Sequence, residues 1–217
     1  MKILWRQLIS LMQGLFLLTA ALFLNACASK QVVQEGPLQK AEWETKALIR
    51  DMKDNKTQSV TIDMQAIKNQ RVRLDVTAMM GYQVASLVMS PKEIAYAIYP
   101  RKEYYYGKSS EKSIERIMGL SLHPMNLANI AFDEPVRGPG WICEQDGSKI
   151  LSKCENKQRS IRVEWKDRTT EGQKKVVITA PQFEMQWLFK SPQTEVQFKP
   201  ETFTLKQPDG FKAIQIN

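Results

Sequence analysis

The chain has 217 residues, with 31 Lys and Arg against 23 Asp and Glu, a net charge of +8, three cysteines and one histidine. That length carries one domain with a substantial core, less comfortably two, and a single histidine argues against a zinc site built on the cysteines, so no metal site is called for. The basic excess holds no Arg/Lys run interleaved with aromatics, so it points to anionic headgroups or plain solubility and not to nucleic acid.

Lys2 and Arg6 form a short basic start, Leu8 to Leu24 is mostly apolar, and Leu24-Asn25-Ala26-Cys27 sets a small residue directly before a cysteine. This is the pattern of a secretion signal over 1–26 whose cleavage leaves Cys27 as the first mature residue, its thiol diacylglycerylated. Two or three acyl chains on one residue hold a protein on a bilayer, whereas one chain does not. The competing reading is an uncleaved transmembrane anchor. Gln7, Ser10, Gln13, Gly14 and Thr19 interrupt the apolar run and leave it short of the ~20 residues a span needs. Loss of 1–26 leaves 191 residues and, because Lys2 and Arg6 go with it, a charge of +6. A membrane-tethered protein outside the cytoplasm is expected.

Residues 27–40 read as the lipidated cysteine and a polar tether broken by Gly36-Pro37, able to lift the domain by up to ~45 Å at ~3.4 Å per residue. The domain itself is expected over 41–217. Period-two alternation dominates it. Trp43, Thr45, Ala47 and Ile49 face one way, as do Val60, Ile62 and Met64, then Val72, Leu74 and Val76. The rhythm returns at Ile161, Val163 and Trp165, and at Phe183, Met185, Trp187 and Phe189. Two runs, Val84–Met89 and Ile94–Tyr99, are apolar on both faces and are expected to be covered on both. Short turns join these strands, so consecutive ones are antiparallel. In Tyr104-Tyr105-Tyr106 the middle ring points to the opposite face from its neighbours, and a cavity rim or simple β-propensity explains the run equally well.

Only one region breaks the rhythm. Residues 110–119 place Ile114, Ile117 and Met118 at helical spacing, with Gly119 as a C-terminal stop. A second short helix is predicted with Pro124 in its first turn and Leu127, Ile130 and Ala131 on one side. Further on, Cys143 and Cys154 form an even pair in an oxidising compartment, and a disulfide is favoured. A two-residue turn at Asp146-Gly147 sets Cys143 opposite Ile150, so the disulfide requires a longer loop or a slipped register.

Roughly ten strands, each with one apolar face, must curl to hide it. The predicted fold is therefore mainly β: a single curved antiparallel sheet, a half-open barrel, with a short helical lid of Ile114, Ile117, Met118, Leu127 and Ile130. Two short helices cannot fill such a barrel. Trp43, Ala47, Ile62, Leu74, Val76, Trp165, Met185 and Trp187 are expected to line an apolar cavity. The alternative is that the sheet packs tightly and these side chains are core.

The segment from Arg73-Leu74-Asp75 through Met80-Gly81 to Phe132 resembles the middle of the LolB family, outer-membrane receptors for lipoproteins. The pieces are a strand with an Arg-Leu start, an apolar residue plus Gly at a loop, paired strands, a helix ending in Gly, and a Pro-containing connection to a second apolar helix. The tail Phe203–Phe211 resembles the carboxyl end of the wider LolA/LolB superfamily. The resemblance implies an eleven-stranded half-open barrel whose cavity receives the acyl chains of lipoproteins, at the periplasmic face of the outer membrane, with a LolA-like periplasmic shuttle as delivering partner. It also implies that Met79, Met80 and Gly81 form a protruding membrane-insertion loop, with Met80 where the family usually has Leu. The alternative for the methionines is burial against the lid. The region 138–172, with its cysteine pair, has no family counterpart.

Catalysis is not expected. His123 is the only candidate general base, and it precedes Pro124, where an N-terminal helix position or a loop contact explains it. No Gly-x-Ser-x-Gly elbow, Walker loop or Gly-x-Gly-x-x-Gly is present, and no cofactor is called for. Two functions remain: a lipid-anchored carrier of acylated lipoprotein or another lipid, and a structural or adaptor lipoprotein using the same fold without cargo.

Overall fold

In the computed structural model, which describes residues 38–216, the alternating stretches become β1 (Lys40–Asp51), β2 (Lys56–Ile67), β3 (Arg71–Ala78), β4 (Gln83–Met89), β5 (Glu93–Ile98) and β6 (Glu103–Lys108). Two helices follow, α1 (Glu111–Met118) and α2 (Asn126–Ala131). The chain then returns to β7 (Trp141–Gln145), β8 (Leu151–Asn156), β9 (Ile161–Lys166), β10 (Lys174–Ala180), β11 (Phe183–Phe189) and β12 (Lys212–Ile216). All twelve strands belong to one sheet, ordered β12-β6-β5-β4-β3-β2-β1-β11-β10-β9-β8-β7. The edge strands β12 and β7 do not pair, so the barrel stays open.

The burial pattern follows the alternation. In β1, Trp43, Thr45 and Ala47 are buried while Glu44, Lys46 and Leu48 are exposed. Thr45 is tolerated inside because its hydroxyl donates to the Ile62 carbonyl (2.8 Å) and accepts from the Trp187 indole N–H (2.7 Å).

Two features go beyond the sequence reading of about eleven antiparallel strands. The described residues form twelve, and β12 lies parallel to β6. A short hairpin forces an antiparallel partner, but β12 arrives after residues 190–211, a connection long enough to approach from either direction. That connection crosses the outer face of the sheet. Arg73 Nη1 donates to the Thr202 carbonyl (3.1 Å), the Tyr104 hydroxyl to the Leu205 carbonyl (2.9 Å), and Phe211 meets Tyr99 edge-on at 5.5 Å. This cover explains why β4 and β5 are apolar on both faces.

The helices pack over the inner face of the half-barrel, with the C-terminal end of α2 towards one end of it. Gly119, at φ 68°, ends α1 in a left-handed cap whose N–H donates to the Glu115 carbonyl (2.8 Å). Pro124 lies in the turn before α2, its carbonyl accepting from the Leu127 N–H (3.1 Å), so the helix begins two residues later than Pro124. The His123 Nδ1 accepts from the Met125 N–H (3.3 Å), a loop contact, and burial lowers its pKa. All six residues of α2 are buried. Beneath it Trp43 meets Phe132 at 5.1 Å, edge-on, and Trp165 Nε1 donates to the Ile130 carbonyl (3.1 Å). The buried Lys174 ammonium donates to the Ala131 carbonyl and to Asp133 Oδ1 (2.9 Å), tying the end of α2 to β10. This end of the barrel is filled.

Cys143 and Cys154 stand directly opposite in β7 and β8 and are joined by a disulfide. The register is reached by a longer loop together with a slip in the pairing. The Asp146 carboxylate accepts the N–H groups of Ser148 (2.8 Å) and Ile150 (3.1 Å), and the pairing slips by one residue between Glu144 and Gln145.

Candidate functional site: an apolar cavity and its rim

The opposite end of the half-barrel is not filled. A cavity of about 460 Å³ lies between the sheet and the lid. Its sheet wall is built from β1 to β6 and β11, among them Ile49, Ile62, Leu74, Val76, Ala85, Leu87, Tyr96, Ile98, Tyr105, Met185 and Trp187. Ile117 and Met118 of α1 and Leu127 of α2 form the lid side. The volume lies within the range of small-molecule sites, and the lining is that of a site for an apolar ligand.

Of the residues expected to line the cavity, Ile62, Leu74, Val76, Met185 and Trp187 do so. Trp43, Ala47 and Trp165 are buried but sit away from it: Trp43 and Trp165 belong to the filled end under α2, and Ala47 pairs with Trp187 in the sheet. An inward-facing position is legible from alternation, but whether a neighbour fills the space over it is not. Of the lid residues, Ile117, Met118 and Leu127 reach the cavity, whereas Ile114 and Ile130 are wholly buried in the packing that holds the helices down.

Five lining residues carry polar groups: Tyr105, for which a cavity rim was one of two readings, and Gln58, Tyr96, Arg101 and Arg116, which were not singled out from the sequence. Tyr96 is 1% exposed and its hydroxyl has no hydrogen-bond partner among the described residues. Burial pushes its phenol pKa up to about 12, so it remains a donor at neutral pH. Its ring stacks on Tyr105 at 4.6 Å, and the Tyr105 hydroxyl donates to Glu103 Oε2 (2.7 Å). Arg101 and Arg116 are exposed, so this side of the cavity reaches the surface. The one local signal was Tyr96, a polar-tipped aromatic in the interior of the run 94–99.

The rim has its own character. Val60 pairs with Ala78, Val76 with Ala85, and Ala85 with Ile98, which places the β1–β2, β3–β4 and β5–β6 connections at the same end of the sheet. The β3–β4 connection is a 3₁₀ turn, Met79–Gly81, closed by a bond from the Ala78 N–H to the Tyr82 carbonyl (2.8 Å). Met80 is 88% exposed and Tyr82 68%, and across the rim Met52 is 49% exposed. Met80 sits at φ 71°, ψ 14°, in the left-handed region, which is unusual and costly for a residue without a short polar side chain. Gly81, at φ 79°, continues the same curvature at no steric cost. Cys27, the expected lipidation site, lies outside the described residues.

No family model and no curated protein matches the sequence. Solved structures do match. A LolA superfamily protein from Nitrosomonas europaea aligns with a TM-score of 0.54 at 7% identity, over 79% of this chain and 92% of that chain. A domain described as an outer-membrane lipoprotein-sorting protein, from Vibrio parahaemolyticus, aligns at 0.48 and 5% identity, over 78% and 90%. An uncharacterized conserved protein from Thermus thermophilus aligns at 0.40 and 6%, over 80% and 90%. The first is the likeness that bears on architecture: this chain has the open, lidded half-barrel fold of a LolA superfamily protein.

Proposed function

We propose that this chain is a LolB-like carrier, anchored through Cys27 at the periplasmic face of the outer membrane, that takes an acyl chain of a lipoprotein or another lipid into its cavity and releases it into the bilayer. On this reading residues 1–26 are the signal, 27–40 the tether and 41–217 the working domain, and a LolA-like periplasmic shuttle delivers the cargo. The observation that carries it is the 460 Å³ apolar cavity opening beside a rim that projects Met80, Met52 and Tyr82.

No covalent step is needed. Each methylene kept from water is worth ~0.8 kcal/mol, so a chain in the cavity does not escape through solvent and has to pass directly into another apolar phase. Docking of Met80 and its neighbours brings the mouth to the membrane. Parting of Ile117 and Met118 from the sheet then opens a continuous apolar path. The bilayer offers the chain more room than the cavity does, which gives the transfer its direction.

Native mass spectrometry of the form beginning at Ala28, purified gently, tests this. Co-purified lipid or acylated peptide that added lipopeptide displaces supports a carrier. A clean apo mass that lipopeptide leaves unchanged defeats it and favours an adaptor role for the fold.

A further inference from the structure

Apart from Gln58 of β2, the polar groups that line the cavity gather at one place, where Tyr96, Tyr105, Arg101 and Arg116 meet. We infer that this place binds an anionic headgroup, a carboxylate or a phosphate monoester, so that the preferred occupant is a single-chain anionic lipid. The inference rests on the acyl-chain reading above and adds which class of lipid the cavity selects.

Three observations carry it. First, the Tyr96 hydroxyl is buried, lines the cavity and has no partner among the described residues. A buried donor left unmade is costly, and a ligand acceptor satisfies it. Second, neither the Arg101 nor the Arg116 side chain forms a hydrogen bond or ion pair with a described residue, although both residues line the cavity. Arg116 lies close enough to act on the phenols of both Tyr96 and Tyr105, and Arg101 on that of Tyr105, so these groups form one cluster. The nearby carboxylate, Glu103, accepts from Tyr105 and does not line the cavity, which leaves the guanidiniums free for a ligand. Guanidinium forks match carboxylate and phosphate oxygens with two parallel bonds. Third, the volume is that of about fifteen methylenes if each takes roughly the ~30 Å³ of a water, which is one long acyl chain and not two.

The test uses the full-length protein in phosphatidylcholine vesicles with three photoactivatable C16 probes: a fatty acid, a lysophosphatidate and an uncharged monoacylglycerol. Adducts are mapped by peptide mass spectrometry to the cavity strands. Each charge-assisted bond lost is expected to cost about tenfold in affinity. The wild type should therefore be labelled at least about tenfold more by one or both anionic probes than by the neutral one. That ratio should fall towards one in Arg101→Gln/Arg116→Gln, and part of the way in Tyr96→Phe. Labelling by the fatty acid alone, or by the lysophosphatidate alone, supports the inference and names the headgroup. Equal labelling of the wild type by all three probes overturns it and leaves the acyl-chain reading standing, whether or not the variants fold. If no probe labels cavity peptides, the acyl-chain reading fails and takes the inference with it.

Discussion

Replacement of Met80 by Asn separates membrane docking from folding. The side chain is 88% exposed, so the folded state gives up almost no packing when it is removed. The backbone at φ 71°, ψ 14° suits Asn better than Met, because a short polar side chain tolerates the left-handed region. Stability should be unchanged or higher by a few tenths of a kcal/mol, within ~1–2 °C in melting temperature for a domain of this size. Docking is different. Burying an exposed methionine in an apolar phase is worth ~1.5–2.5 kcal/mol, which is roughly 10- to 70-fold in partitioning. Flotation of the form beginning at Ala28 with phosphatidylcholine/phosphatidylglycerol vesicles measures it. Wild-type partitioning retained in Met80→Asn would refute the docking role. A fall in melting temperature of more than ~4 °C, equivalent to 1 kcal/mol or more, would show that Met80 packs against the protein after all.

Filling the cavity with Val76→Trp should abolish co-purified lipid in native mass spectra while shifting stability by no more than ~1 kcal/mol, since the ring enters space already empty; retained lipid at wild-type stoichiometry counts against the cavity as the site. Reducing the Cys143–Cys154 bond, which closes a loop with a sequence separation of 11, should cost ~2.5–3 kcal/mol, seen as a lower urea midpoint with dithiothreitol; an unchanged midpoint refutes this. Burial depresses the Lys174 pKa below the usual 10.5, with Asp133 opposing. Between the two values the unfolded chain binds more protons than the folded one, so stability relative to Lys174→Met should rise with pH through that window. Urea melts of both proteins at about pH 8 and pH 10 check it, and a constant or shrinking difference is the adverse result.

The strands were legible because a half-buried sheet leaves its mark on every second residue. Trp43 to Ile49 and Phe183 to Phe189 read correctly as inner faces, and Ile114, Ile117, Met118 and Gly119 disclosed a short capped helix. Pro124 was less informative: the proline fits the first turn of a helix and also the turn before it, and local sequence does not choose between them. The cysteine pair shows a similar limit. The spacing from Cys143 to Cys154 fits a disulfide only with the right loop, and the Asp146 carboxylate, by gathering the N–H groups of Ser148 and Ile150, makes that loop.

Alternation and composition alone determined that this chain builds a curved, single-layered sheet with too little helix to stopper it, because those depend on neighbours in sequence. Only the tertiary structure decided which half of the barrel is filled. Trp43 meets Phe132 and Trp165 meets Ile130, each from a distant part of the chain, while Ile62, Leu74, Val76 and Trp187, equally apolar and equally inward, face an open space. It also decided that Tyr96, Arg101 and Arg116 share one corner of that space, and that residues 190–211 return across the outer face to seat β12 beside β6. A cavity is what remains between surfaces whose separation is set by packing at long range, and no window of sequence contains both of its walls.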